Sequence, residues 1–161
     1  MIRQSSTVMR TATLLAGLLF QIIPLPSGLD LARPYLLALF LCSWCLETPE
    51  KTGLGTAFIY GLLSDLFSGG VLGEQALRLV ILAFLVSRFR ARLRFFPLWQ
   101  QALAIFVLLL NDRLIMTLLH WLVNDNALSW VAWLSPVLGM LLWPWLFVAI
   151  DMLRLRARER S

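Results

Sequence analysis

Eight arginines in this chain are gathered in two short blocks, and long apolar runs precede each block. The blocks consist of Arg88, Arg90, Arg92 and Arg94, and of Arg154, Arg156, Arg158 and Arg160. The 161 residues are 60% hydrophobic and 14% charged, whereas a soluble domain is about 25% charged. Basic residues gathered at the ends of long apolar runs are typical of polytopic membrane proteins, because their cytoplasmic loops retain Lys and Arg. The sequence therefore predicts an all-α, multi-pass membrane protein.

The apolar runs predict a bundle of six transmembrane helices that forms one membrane domain over residues 1–161. A spanning helix needs about 20 apolar residues, so a chain of this length has room for roughly six. The predicted spans cover residues 9–25, 31–46, 53–67, 72–87, 97–123 and 130–153. Since nothing like a signal-peptide cleavage site follows the first run, we expect this span to be retained.

Six crossings would place both termini on one side of the membrane. Both arginine blocks and Lys51 fall on that side, whereas Asp30, Glu74 and Asp125 fall on the other. The positive-inside rule then predicts cytoplasmic termini. We expect the arginines to contact anionic phospholipid rather than nucleic acid, because they flank spans and are not part of a soluble module.

The third predicted span carries small residues at every fourth position. The series consists of Gly53, Ala57, Gly61 and Gly69, with Asp65 between the last two. Small residues at this spacing let membrane helices approach closely. The series predicts a helix-packing stripe, and Asp65 should face protein rather than lipid.

Charged side chains lie at a similar predicted depth in three spans: Asp65 in the third, Arg78 in the fourth, and Asp112 and Arg113 in the fifth. Because an unpaired carboxylate in a span costs roughly 2.5–3.5 kcal/mol, Asp65 needs a partner, and Arg78 is the candidate. Three interpretations remain open. The cluster is a structural network that fixes helix register, a patch that contacts a protein partner, or a small-ligand or proton site.

No motif of a known catalytic or cofactor-binding site occurs in the sequence, so we expect no enzyme activity and no cofactor. Cys42 and Cys45 form a C-x-x-C spacing inside an apolar run. Two small apolar side chains are the favoured interpretation, and a redox or metal pair is the alternative. His120 is the only histidine, so there is no second imidazole for a metal site.

Three segments together resemble the MreD family of bacterial rod-shape-determining proteins. They are Gly61–Gly73, which reads GLLSDLFSGGVLG, Phe96–Leu103, and Leu142-Trp143-Pro144 with the chain that follows to Asp151 and the basic tail. The chain departs from the family pattern at Tyr35, where an acidic residue is expected, and at Glu74-Gln75, where Gln-His is expected.

The resemblance implies a non-enzymatic inner-membrane component of the machinery that builds lateral peptidoglycan. The expected direct partner is MreC, and MreB, RodA and its transpeptidase are further members of the assembly. The family is also similar in size and helix number to substrate-binding subunits of vitamin transporters. That similarity keeps a small-solute binding or transport subunit open as the alternative.

Overall fold

Six α-helices and short connections make up the computed structural model. It describes residues 2–24, 26, 33–48, 50–69, 71–124 and 130–159, and these residues contain no β-strand. The helices are α1 (Ile2–Ile22), α2 (Leu36–Glu47), α3 (Leu54–Ser68), α4 (Glu74–Leu93), α5 (Leu98–Asn124) and α6 (Leu134–Glu159), with a 3₁₀ turn at Trp130–Trp133. The all-α prediction agrees with this fold. The loop acids Asp30 and Asp125 and the last arginine, Arg160, lie outside the described residues.

Among the described residues, two helical segments are long and apolar enough to cross a membrane, Leu98–Val123 and Trp130–Arg156. Their large apolar side chains point outward along much of their length, with Leu122 66% and Leu141 61% exposed. Water would make such a surface costly, but lipid does not. Such exposure is typical of helices that face lipid and differs from the buried core helices of a soluble protein.

Helix α2 is the centre of the bundle. Nine of its 12 residues are buried, and α1, α4 and α6 all pack against it. Helices that are hydrophobic on every side are buried in this way. Its side chains Leu37, Leu41 and Trp44 are among the largest that the bundle buries completely.

The second predicted span, residues 31–46, begins too early, because residues 33–35 are not helical and α2 begins at Leu36. Pro34 disfavours helical backbone at Arg33, and a tight turn at Tyr35, with φ −77° and ψ 74°, delays the helix to Leu36. Twelve residues extend only about 18 Å, which is shorter than the roughly 30 Å hydrocarbon core. Non-helical backbone is tolerated at membrane depth where protein covers it, and Tyr35 is buried.

The predicted small-residue stripe on α3 is used for close packing only at its middle. A Cβ on Gly61 would lie 2.7 Å from Ala76 N and 2.9 Å from Gln75 O, so α3 and α4 nearly touch here. Ala57, one turn earlier, is fully buried.

The two ends of the stripe make no close helix contact within the described part of this chain, and whether they meet a partner stays a prediction. Apart from the adjoining residues of the chain, no described atom lies within 4 Å of a Cβ built on Gly53 or Gly69. Gly69 ends α3 with φ 65°, a left-handed conformation that glycine adopts without strain. Gly73 has φ 96° and precedes α4, so these glycines make the sharp turn between the two helices.

Candidate functional site

Asp65, in the last turn of α3, binds the beginning of α4. Its carboxylate accepts hydrogen bonds from the backbone N–H groups of Gly73 at 2.9 Å, Gln75 at 2.8 Å and Ala76 at 3.3 Å. The first N–H groups of a helix have no partner within that helix, and Gly73 has no side chain to cap them. Asp65 therefore caps α4 from the preceding helix, at the end where the helix dipole favours a negative charge.

Arg78 on α4 pairs with Asp112 on α5. Its Nε donates to Asp112 Oδ1 at 2.8 Å and an Nη donates to Oδ2 at 2.5 Å, so both oxygens are engaged in the fork geometry that makes such pairs strong. Each side chain is only 5% exposed. The pair neutralises two charges that lipid would not tolerate separately.

The predicted ion pair between Asp65 and Arg78 is therefore wrong. The two residues lie on helices that pack against each other, but their side chains face different neighbours. Asp65 faces the backbone at the start of α4, and Arg78 extends from α4 towards α5. Depth along a helix does not determine which neighbouring helix a side chain meets.

A wider polar network surrounds the Arg78–Asp112 pair. Gln75 Oε1 accepts hydrogen bonds from the Tyr35 hydroxyl at 2.7 Å and from an Nη of Arg78 at 3.2 Å. The guanidinium of Arg78 lies 4.9 Å from the centre of the Tyr35 ring. The backbone N–H of Gln75 also binds Asp65, so one connected network joins the start of α2, the end of α3, α4 and α5.

Arg113, next to Asp112 in the chain, has no hydrogen bond to this network among the described residues. It is half-buried, and its recorded side-chain hydrogen bond goes to the sulfur of Met116 at 3.3 Å. The four predicted members thus separate into a helix cap, a buried ion pair and a third position. Whether any of them contacts a partner stays a prediction.

Two of the predicted basic anchors bind the carboxyl end of α2 instead of extending freely. Arg90 Nε donates to Leu46 O at 2.9 Å. Arg154 pairs with Glu47 at 2.6 Å and lies 4.3 Å from the centre of a Trp44 ring. Positive groups at a helix C-terminus complement its dipole and its unpaired carbonyls.

The remaining predicted anchors are exposed: Arg88, Arg92, Arg94 and Arg156. For these four residues, contact with anionic phospholipid stays a prediction. Arg94 lies in the corner between α4 and α5. Gln101 stabilises this corner, because its Nε2 donates to Leu93 O and Phe96 O, each at 3.1 Å.

A cleft of about 350 Å³ separates the first turn of α4 from the end of α5, and we call it the α4–α5 cleft. Its walls are apolar and include Leu72, Leu77, Leu119 and Val123. Glu74 and His120 supply its side-chain polar groups, with His120 Nδ1 3.8 Å from a carboxylate oxygen of Glu74. No sequence motif predicts this cleft, because it depends on how α4 and α5 separate beyond the Arg78–Asp112 pair.

Among the described residues, no group of three or more His, Cys, Asp and Glu side chains is placed to hold a metal ion. Cys42 and Cys45 are free thiols buried in α2, and Cys45 Sγ lies 3.4 Å from Thr52 O. These positions fit the interpretation of both as small apolar residues of the core.

The lipid-facing helices and the internally neutralised charges define a class, namely an all-helical membrane protein. The chain matches the family described as rod shape-determining protein MreD over residues 1–153. It is 30% identical over 138 residues to the rod shape-determining protein MreD of Haemophilus influenzae. The matched region covers 86% of this chain and 85% of that relative. No solved structure matches the chain. The chain therefore belongs to the MreD family, a family of membrane proteins with a role in rod shape.

Proposed function

We propose that this protein is a non-enzymatic, six-span scaffold in the bacterial inner membrane that binds MreC and helps to direct lateral peptidoglycan synthesis. Membership of the MreD family over nearly the whole chain is the observation that carries this proposal. On this view MreB, RodA and its transpeptidase belong to the same assembly. The protein acts by holding MreC in place within the membrane.

The arrangement of buried polar groups supports a scaffold over a solute-binding subunit. A ligand site needs a few polar groups that converge on a concave pocket. Here the most deeply buried charges, Arg78 and Asp112, converge on each other, and Gln75 and Tyr35 complete the network. These groups bond to one another across neighbouring helices. Such bonds fix the positions of the helices in the bundle and commit these groups to one another rather than to a ligand.

Contacts between helix ends support the proposed topology. Arg90 near the end of α4 binds Leu46 O, and Arg154 near the end of α6 binds Glu47. The C-terminal ends of α2, α4 and α6 therefore lie close together. Alternate helices that end on one side are what six antiparallel crossings require. The arginine-rich end is then cytoplasmic by the positive-inside rule, and the α4–α5 cleft lies near the periplasmic face.

The corner between α4 and α5 has the composition of an anchor in the inner leaflet. Phe95 is 86% exposed and Trp99 is 66% exposed, beside the exposed side chains of Arg92 and Arg94. Aromatic rings favour the membrane interface, and each basic residue near an anionic leaflet contributes about 1 kcal/mol. We propose that this corner holds anionic phospholipid at the cytoplasmic surface.

The proposal is tested in cells depleted of their own MreD and by purification from those cells. Expression of this protein should restore rod shape, and tagged protein extracted in mild detergent should retain MreC. A matched control is the same chain with Gly55→Leu, which alters a position without close neighbours and should retain both properties. Tight binding of a vitamin-like solute by a preparation that leaves MreC behind would favour the transporter-subunit alternative and overturn the scaffold.

A further inference from the structure

Glu74 lies in the first turn of α4 and its charge interacts with that of Arg78, but among the described residues its carboxylate has no hydrogen-bond donor. Its side chain is only 13% exposed, and the nearest basic nitrogen recorded for it is His120 Nδ1 at 3.8 Å, which is beyond hydrogen-bond distance. That nitrogen instead lies 3.0 Å from Met116 O. Within the described part of the chain, no hydrogen bond reaches the Glu74 carboxylate.

The donors that could have served Glu74 are already committed. The backbone N–H groups of Gly73, Gln75 and Ala76 bind Asp65. Arg78, one turn further along α4, donates to Asp112 and to Gln75. A largely buried carboxylate without donors is costly, so this position favours a cationic partner from outside the chain.

The surroundings of Glu74 restrict what that partner can be. The carboxylate borders the α4–α5 cleft, whose rim is exposed, with Leu72 66% and Val123 61% accessible. A volume of about 350 Å³ is too small for a whole helix, which is about 10–12 Å across. It suits the apolar side chains from one face of a helix that lies along the rim.

We propose that the α4–α5 cleft is the docking surface for the transmembrane helix of a single-span partner. That helix inserts apolar side chains between Leu77 and Leu119, and a Lys or Arg near its periplasmic end donates to Glu74. The inference rests on the proposed function, in which this partner is MreC. Charge complementarity at Glu74 and the apolar walls of the cleft select such a helix, because the site needs one fixed cation above an apolar surface.

Three variants test the surface by capture of MreC on the tagged full-length protein. Glu74→Lys places like charges together, and Leu77→Trp fills the cleft. Each should lower MreC capture by about tenfold or more, as expected when a desolvated charge pair or a central apolar contact is lost. The matched control is Leu141→Trp on α6, a residue that is 61% exposed and lies outside the cleft, and it should capture MreC as the wild type does.

Charge reversal on the partner makes the test specific. The lysine or arginine near the periplasmic end of the MreC helix, when changed to glutamate, should weaken capture by the wild type and restore capture by Glu74→Lys. A photo-crosslinking residue at Val123, which leaves Glu74 and Leu77 intact, should yield an adduct with MreC, whereas one at Leu141 should not. The crosslink keeps the test valid if a substitution impairs folding.

The outcomes separate this inference from the function on which it rests. Wild-type protein that captures no MreC would overturn both. Normal capture by Glu74→Lys and Leu77→Trp, with crosslinks at Leu141 rather than Val123, would overturn the cleft alone. Loss of co-purified phosphatidylethanolamine from Glu74→Lys without any loss of MreC would assign the cleft to a lipid ammonium group and would also overturn the inference.

Discussion

Removal of either member of the Arg78–Asp112 pair should strongly destabilise the protein, while removal of both should cost much less. The two side chains share hydrogen bonds of 2.8 and 2.5 Å and are each 5% exposed. Arg78→Met leaves a buried carboxylate, and Asp112→Leu leaves a buried guanidinium. Each change should cost about 3–5 kcal/mol, because breaking a buried pair strands the other charge.

The double variant Arg78→Met/Asp112→Leu strands no charge. It should lose less than the sum of the single losses, with a coupling energy of up to about 3 kcal/mol. The assay is reversible unfolding in mixed detergent micelles, followed by circular dichroism for all four proteins. Gln75 and Tyr35 lose one contact in the double variant, so it should still fall below the wild type.

Two further cycles serve as controls. Asp112→Leu combined with Glu47→Gln should be additive within about 0.3–0.5 kcal/mol, because Glu47 belongs to the separate contact with Arg154 at the other end of the bundle. Asp65→Leu combined with Arg78→Met should couple more weakly than the true pair, since in the described part of the chain the two side chains share no direct hydrogen bond and each bonds to Gln75. Additive losses for Arg78 and Asp112, or stronger coupling between Asp65 and Arg78, would refute the assigned pairing.

Three other substitutions test separate parts of the bundle. Gly61→Leu should separate α3 from α4 and cost about 3 kcal/mol or more, while Gly55→Leu stays near wild type; equal melting temperatures would contradict the close approach. Asp65→Ala should cost about 2 kcal/mol and speed amide hydrogen exchange at Gln75 and Ala76; unchanged exchange there would exclude the cap. Arg154→Gln should lower the melting temperature, because it removes the charge that Glu47 binds. If Glu47→Gln causes no such loss, the ion pair is not the cause, and the contribution of Arg154 comes from its stacking on Trp44.

Much of the helical architecture follows from hydropathy and charge. The fifth predicted span, residues 97–123, nearly matches α5, because its long apolar run begins after Pro97 and contains few charges. The second span, residues 31–46, was less accurate. Its apolar residues continue past Pro34 without a change in composition, so hydropathy alone cannot locate the first residue of α2.

The candidate site was only partly predictable, for a geometric reason. The rise per residue gives the depth of a side chain, and it correctly brought Arg78 and Asp112 to one level. Pairing also depends on the order of the helices around the bundle, which decides that Arg78 faces α5 while Asp65 faces the start of α4. The sequence does not contain that order in any local pattern.

The close approaches of Gly17 and Gly139 were likewise not predicted. A Cβ on Gly17 would lie 3.1 Å from Leu37 Cα, so α1 and α2 nearly touch at this point. Gly139 allows α5 and α6 to pack around Leu109. Each is the single glycine in its helix, and the small residue four positions before it, Thr13 or Ser135, makes one short repeat rather than the longer series that marks α3.

The location of the two chain ends tests the central claim of a six-span membrane scaffold most directly. In a Cys42→Ala/Cys45→Ala background, single cysteines at Ser6, Val71 and Ser161 can be probed with a membrane-impermeant maleimide. Val71→Cys, in the turn before α4, should react in cells whose inner membrane is intact, whereas Ser6→Cys and Ser161→Cys should react only after that membrane is opened. Different accessibility of the two ends, or recovery of the intact chain in the soluble fraction, would contradict the account.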